Sequence, residues 1–547
     1  MTLDRYDELY GSWRWDVPAR FNLATACCTR WAADRSRFAL YWEDESGAAA
    51  KYTFWDVQQE ANRLSNALAA LGVKRGDRVA LILPQRPEMA IAYMAIFQMG
   101  AIALPLSHLF GPEALEYRMD FAGASAVFVE PTTIANLWAI RDKLPSLRHV
   151  IGVGGARESG VHAYEALVAK GGSTFNAVDT AADDPALIIY TSGTTGPPKG
   201  ALEAHRLILG NLPGFLYSHD FFPQPGDLFW SPADWAWAGG LFDALLPSWY
   251  YGMPLLGYRG RFDAERAYHL LEKYGVRNAF LFPTALKLMM KAVPAPKGKY
   301  RLDLRSIMSA GESVGVTVIE WAREHLGVTI NEMFGQTEIN YVVGNCQAAW
   351  PVKPGAIGRA YPGHRVAIID AQGNEVPRGE LGEIAVNRTC NGMPDPVHFL
   401  EYWKNPQATS DKYIGDWGCT GDQGRMDEDG VIWYQGRSDD VIKSAGYRIG
   451  PAEIESCLVK HPAVANAAVI GKDDAARGQI VKAFIVLQPG QVASKSLVDE
   501  IQAHVRGRLA PYEYPKEIEF LEALPMTTTG KVQRKELRRR EQQKQEQ

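Results

Sequence analysis

Short apolar runs that stop at turn residues recur along the chain, and their lengths separate strands from helices. From Arg78 the run VALILP is continuously apolar and short enough for a strand buried on both faces. RPEMAIAYMAIFQMG follows, and its apolar spacing and early Pro87 predict a helix. AIALPL then reads as a second strand, which completes a βαβ unit and predicts an α/β architecture with a parallel sheet. ASAVFVE, HVIGVG, DPALIIY, RNAFLFP and LRSIMSAGE repeat the alternation, each run ending at a turn.

Past Gly436 the texture changes. GRSDDVIKSAGYRIG is polar and glycine-rich, and the segments PAEIESCLVKHP, VANAAVIG, KAFIVL and LVDEIQAHVRGRL form a compact mixture of helix and strand patterns. The chain is therefore expected to divide into a large α/β domain, residues 1–438, and a small α+β domain, residues 439–547. The closing stretch KVQRKELRRREQQKQEQ is so charged that it predicts a solvated helix fraying into a tail.

Length supports the division, because 547 residues exceed what one hydrophobic core usually holds. With 46% hydrophobic and 22% charged residues, the composition is that of a globular protein. A net charge of -5 offers no general attraction to nucleic acid or to an acidic membrane, so the expected partner is a small molecule. Six cysteines are scattered without a CxxC pair, which points away from a zinc site and towards a reducing compartment. The opening MTLDRYDELYGSWRW lacks the basic and apolar order of a signal peptide. The most apolar stretch is interrupted by Gln98, Gly100 and Pro105 before it could span a bilayer. A cytoplasmic location without stable membrane insertion is expected.

One loop carries the first chemistry. YTSGTTGPPKG, residues 190–200, is too rich in glycine and proline for a helix or strand interior. It follows ALIIY, so it opens at the carboxyl end of a strand, where open α/β sheets bind ligands. Glycine-freed amides, hydroxyls and a lysine together make a polyphosphate cradle. It is not a Walker A loop, since Pro198 precedes Lys199 and Gly200 follows it.

Further motifs follow in order: SAGES from Ser309, MFGQTE from Met333, GEI from Gly382, TGD from Thr420, GRSDDVIKSAGYRIGPAEIE from Gly436 and LPMTTTGKVQRKEL from Leu524. With the loop, this series resembles the adenylate-forming acyl- and aryl-CoA ligase family. The resemblance implies a large multilayered α/β domain with a smaller mobile α+β domain, and ATP, Mg2+ and coenzyme A as cofactor and co-substrates. In the implied reaction a carboxylate attacks the α-phosphorus of ATP, pyrophosphate leaves, and the CoA thiol displaces AMP. Catalysis of this kind is mainly positioning and charge neutralisation.

The resemblance also assigns residues. Thr191, Ser192, Gly193, Thr194, Thr195 and Lys199 would cradle the β- and γ-phosphates. Gly311, Glu312 and Ser313 would meet the adenine edge, with Phe334 stacking where the family often has tyrosine. Gly335 and Gln336 belong to the same ATP-binding segment. Thr337 would meet the α-phosphate and Glu338 would hold Mg2+. Asp422, aided by Arg437, would accept the ribose hydroxyls. Lys531 would bridge the carboxylate and the α-phosphate, although Met526 replaces a lysine common in that motif. Asp439 would be the hinge about which the small domain turns. Gly446 and Tyr447 would line the pantetheine path, Arg448 would sit near phosphate, and Arg506 would meet a CoA phosphate.

For the acid, Trp235, Trp237, Gly239, Gly335 and Tyr341 are expected to line a broad apolar pocket. Acetyl-CoA synthetases carry a tryptophan just before QTE, where Gly335 stands here, so a medium-length, branched or aromatic carboxylic acid is expected. Three alternatives stay open: a short-chain acetate or propionate synthetase, a ligase loading a carrier protein, and a non-catalytic nucleotide sensor.

Overall fold

The computed structural model describes residues 4–191, 197–312, 314–437, 440, 442–444, 447–474, 478–509, 513–527 and 531–545. The chain forms two compact units. The larger comprises Met1–Pro354, Gly358–Arg365 and Asn387–Gly418; the smaller comprises Gly355–Ile357, Val366–Val386 and Cys419–Gln547.

In the larger unit the expected βαβ start is present. Arg78–Ile82 pairs in parallel with Ile102–Pro105, and the helix Pro87–Gln98 joins them. Both strands belong to an eight-stranded sheet ordered Glu401–Tyr402, Lys199–Ala204, Pro185–Thr191, Ile102–Pro105, Arg78–Ile82, Ala124–Val129, His149–Gly152, Val161–Ala163. A nine-stranded sheet includes the parallel series Phe229–Trp230, Asn278–Phe280, Ser306–Ser309 and Ile330–Gln336, of which the apolar runs predicted Asn278–Phe280 and Ser306–Ser309. Side-chain alternation sorts the cores. Val79 and Leu81 enter the central cluster between the sheets, whereas Ala80 and Ile82 enter an outer one; Leu255 and Leu256 divide similarly in the second sheet.

One connection differs from a simple strand-to-helix turn. The loop after Thr191 returns as an antiparallel strand, with Thr191 opposite Lys199. An antiparallel strand within a largely parallel sheet leaves no period of its own in the sequence, because both strands of the hairpin are buried and read as apolar runs.

The smaller unit holds two sheets. Val366–Ile369, Gly382–Asn387 and Trp417–Met426 follow in order, with Ile432–Arg437 against Trp417–Met426. Gly478–Leu487 is the centre of the other and pairs with Val464–Asp474 and Glu517–Phe520. The final helix, Arg534–Gln545, is docked rather than merely solvated. Leu537 is buried with Ala468, Ile470 and Phe484, and Glu541 is buried against Lys482, so two residues four apart anchor an otherwise charged helix. No helix among the described residues is long and apolar enough to cross a membrane.

Candidate active site

Lys199 opens the return strand of the loop hairpin, and the Thr191 hydroxyl donates to its carbonyl at 3.4 Å. Its ammonium lies 5.1 Å from the centre of the Tyr402 ring, a cation–π distance. Ser192, Gly193, Thr194 and Thr195 lie outside the described residues.

A second hairpin presents the QTE segment. Ile330–Gln336 and Ile339–Gly344 run antiparallel with Gln336 opposite Ile339, so Thr337 and Glu338 form its turn. The stretch Phe334–Thr337 is half-buried and Glu338 is buried. Two side chains fix the turn: Tyr402 donates its hydroxyl to Glu338 Oε1, and Lys412 donates to Gln336 Oε1. The Phe399 amide also donates to the Glu338 carbonyl at 3.0 Å.

Gly335 has a local reason to be glycine. A Cβ there would overlap the Tyr341 amide nitrogen and stand 3.0 Å from Asn340 Cα, where the hairpin register shifts between Phe334 and Gln336. Nearby, Gly311 has φ 94°, a backbone that suits glycine, and Glu312 is half-buried beside it. Ser313 lies outside the described residues. Glu332 orders this segment by accepting from the Val314 amide at 3.0 Å, and burial pushes its carboxyl up to about 7.

The expected acid-pocket residues fall into two environments. Trp235 is buried, its carbonyl accepting from the Tyr93 hydroxyl at 2.8 Å, and Tyr341 is buried with its hydroxyl 2.7 Å from that of Ser218. Trp237 is half-buried and meets Phe110 edge-to-face at 5.7 Å. A Cβ on Gly239 would come within 2.9 Å of the Phe280 ring. Asp243, in the helical segment Leu241–Leu245 that follows, accepts from Asn340 Nδ2 at 2.6 Å; burial raises it to about 7.

In the smaller unit Asp422 and Arg437 are cross-strand partners, with Arg437 Nη1 3.5 Å from Asp422 Oδ1. Gly421, at φ 75°, donates its amide to Glu383 Oε1 at 2.7 Å, so the GEI segment holds the TGD turn. Lys531 is exposed and tied to Thr527 by two bonds: its amide donates to Thr527 Oγ1 at 3.0 Å, and its carbonyl accepts from the Thr527 amide at 2.7 Å. Arg506 is exposed and stacks over Tyr514 at 4.1 Å. Tyr447 and Arg448 belong to the strand Tyr447–Ile449; Asp439 and Gly446 lie outside the described residues.

A family model described as AMP-binding enzyme matches residues 28–393, and the AMP-binding enzyme C-terminal domain matches residues 453–531. The chain belongs to the AMP-binding enzyme family, in its acyl-CoA synthetase branch. It is 37% identical to the uncharacterized acyl-CoA ligase YtcI of Bacillus subtilis (strain 168), over 96% of this chain and 97% of that one. It is 35% identical to the acetyl-coenzyme A synthetase of the same organism, over 98% of this chain and 95% of that one. Among solved structures, the anthranilate CoA ligase AuaEII in complex with anthranoyl-AMP matches with a TM-score of 0.87 and 29% identity, over 97% and 99% of the two chains.

For this AMP-binding enzyme, sequence reading passed over Tyr402, Glu332, Glu383 and Glu203. Glu203 is buried on the return strand with no hydrogen-bond partner for either oxygen among the described residues, and burial beside Glu338 holds it well above the usual carboxylate range. Two of the four carried a signal: Glu332 immediately precedes MFGQTE, and Glu383 is the acid of GEI. Tyr402 and Glu203 carried none, because their meaning comes from neighbours distant in sequence.

Proposed function

We propose that this acyl-CoA synthetase activates a medium-length, branched or aromatic carboxylic acid of about four to eight carbons. The observation that carries the adenylation chemistry is the arrangement of Lys199 and Glu338 about one tyrosine. It brings a cation for phosphate and a carboxylate for a divalent ion to one side of the sheet. In the first half-reaction Lys199 offsets charge on the leaving pyrophosphate, Thr337 meets the α-phosphate, and Lys531 neutralises the attacking carboxylate and the phosphorus it attacks. Glu338 fits Mg2+, since it is a buried hard-oxygen donor with one oxygen fixed by a phenol; the ion would supply charge neutralisation of the triphosphate. Asp422 and Arg437 hold the ribose. In the second half-reaction the small domain, residues 439–547, turns at Asp439 and presents Gly446, Tyr447, Arg448 and Arg506 to coenzyme A.

The acid class rests on the half-buried, aromatic-lined position of Trp237 beside Phe110; the likeness to an anthranilate CoA ligase supports it. The 35% identity to an acetyl-coenzyme A synthetase favours a second reading, a short-chain acid. AMP formation with a chain-length and benzoate panel, with and without free CoA, decides between them. A kcat/KM for four to eight carbons or benzoate at least tenfold above acetate supports the first reading, since each buried methylene contributes roughly 0.8 kcal/mol. Preference for acetate establishes the second. Turnover that ignores free CoA overturns both.

A further inference from the structure

Tyr402 stands where the two charged groups of the phosphate site meet, and nothing in the motif series assigns it a task. Its two-residue strand, Glu401–Tyr402, is the edge of the eight-stranded sheet and pairs antiparallel with the return strand, Tyr402 opposite Ala201. The Trp403 amide donates to the Gly200 carbonyl at 2.7 Å and locks that register. Side chains alternate along a strand, so Lys199, Ala201 and Glu203 share one face, and residues opposite in an antiparallel pair share it too. Tyr402 is thereby set beside Lys199, whose ammonium lies 5.1 Å from its ring centre. The ring is buried and wedged edge-to-face on Phe399 at 4.9 Å.

The far end of the same ring reaches Glu338. The Tyr402 hydroxyl donates to Glu338 Oε1, and the Phe399 amide, three residues earlier, donates to the Glu338 carbonyl. A buried carboxylate needs such donors, more so here because Glu203 lies on the same strand face as Lys199 with its carboxyl group unpartnered. With Oε1 committed to the phenol, Oε2 is the oxygen offered to a cation.

We propose that Tyr402 is a positioning residue that sets two charges at once: its hydroxyl fixes the Glu338 carboxylate for a divalent cation, and its ring face fixes the Lys199 ammonium for the polyphosphate. The inference rests on the phosphate and Mg2+ assignments of Lys199 and Glu338 given above.

The test is equilibrium binding of ATP by calorimetry, without acid and therefore without turnover, across a Mg2+ series. Tyr402→Phe keeps the ring and should lower the Mg2+-dependent gain in ATP affinity about tenfold, a loss typical of a hydrogen bond to a charged group. Metal-free ATP affinity should stay within about twofold. Tyr402→Leu should weaken metal-free binding as well, about three- to tenfold, because the cation–π contact is lost too. In a Glu338→Gln background the Phe substitution should add nothing further, a coupling that a merely structural role would not produce. Thermal melting identifies any variant that is unfolded.

Three results overturn the proposal. The first is a folded Tyr402→Phe or Tyr402→Leu protein with the parental Mg2+ gain while Glu338→Gln loses it. The second is strict additivity of Tyr402→Phe with Glu338→Gln. The third is a parental Mg2+ gain in Glu338→Gln itself, which removes the Mg2+ assignment of Glu338 and the inference with it; the first two leave that assignment standing.

Discussion

The carboxyls beside the candidate site and the charges of the smaller unit's scaffold are treated in opposite ways. Among the described residues, the larger unit's carboxyls beside the candidate site are nearly alone: Glu203 has no hydrogen-bond partner, Asp243 has Asn340, and Glu332 has one backbone amide. In the smaller unit buried charges are answered by opposite ones. Lys482 meets Glu541 at 2.5 Å and Glu519 at 3.0 Å, and Arg534 meets Glu455 at 2.6 Å, while Arg538 meets Asp440 at 2.6 Å. A carboxyl buried without a counter-ion is held neutral and costs stability when it ionises, whereas a buried pair holds its element in place and is costly to break. The contrast teaches where each unit carries its constraint: the larger one next to its chemistry, the smaller one in its scaffold.

The largest expected effect breaks the scaffold side of this contrast. Lys482→Met removes the buried cation that Glu541 and Glu519 share, leaving them only the more exposed Lys472 and Lys544, and should destabilise the smaller unit by about 3–5 kcal/mol. Urea unfolding followed in residues 439–547 reads it, and a loss below 1 kcal/mol would mean the network is ornamental.

Function in the smaller unit, by contrast, is expected at an exposed residue outside that network. Lys531→Ala should lower acid-dependent pyrophosphate exchange about 10²–10³-fold with no change in melting, while supplied acyl-adenylate still reacts with CoA. Gly446→Leu should do the reverse. If both half-reactions fall equally in either variant, the division of labour is wrong.

On the site side, Asp243 gives a pH-dependent test. Its folded carboxyl titrates near 7 against an ordinary value near 4, so the folded state keeps a proton that the unfolded chain releases. Stability is then full below pH 4, falls as pH rises to 7, and levels off above. Asp243→Asn keeps an acceptor for Asn340 and should abolish that fall, with melting equal to the parent at pH 4 and higher at pH 8. The gain is at most about 4 kcal/mol, the full width of the shift. Parallel melting curves from pH 4 to 8 would show that the carboxyl is solvated after all.

The smallest effect concerns packing at the QTE hairpin. Gly335→Ala forces a Cβ onto the Tyr341 amide and should cost about 1–3 kcal/mol, as overpacking usually does. A tryptophan at 335 meets the same backbone, so its effect on acid choice is readable only if the hairpin shifts to admit it. An alanine variant as stable as the parent would remove the close-approach explanation and restore pocket depth as the reason for this glycine.

Much of the larger unit was legible before the structure. VALILP, AIALPL and ASAVFVE became adjacent parallel strands because a sheet covered on both faces leaves continuous apolar runs. The antiparallel return strand through Lys199 was not legible, since its direction depends on which edge it finds. The docking of Arg534–Gln545 was hidden for a related reason: two buried positions in a charged helix fall below any periodicity signal, and only the facing sheet reveals them.

The linear sequence determined the parts that depend on near neighbours. Glycines and proline make 190–200 a loop, apolar runs make the parallel strands, and the ordered motifs name the family. Tertiary structure decided which side chains meet. Tyr402 stands 64 residues from Glu338, and Glu203 faces a carboxyl group from another hairpin. Hydrogen bonds and charges act across a few ångströms of space whatever the distance along the chain, so their pairing exists only after the strands have found their edges.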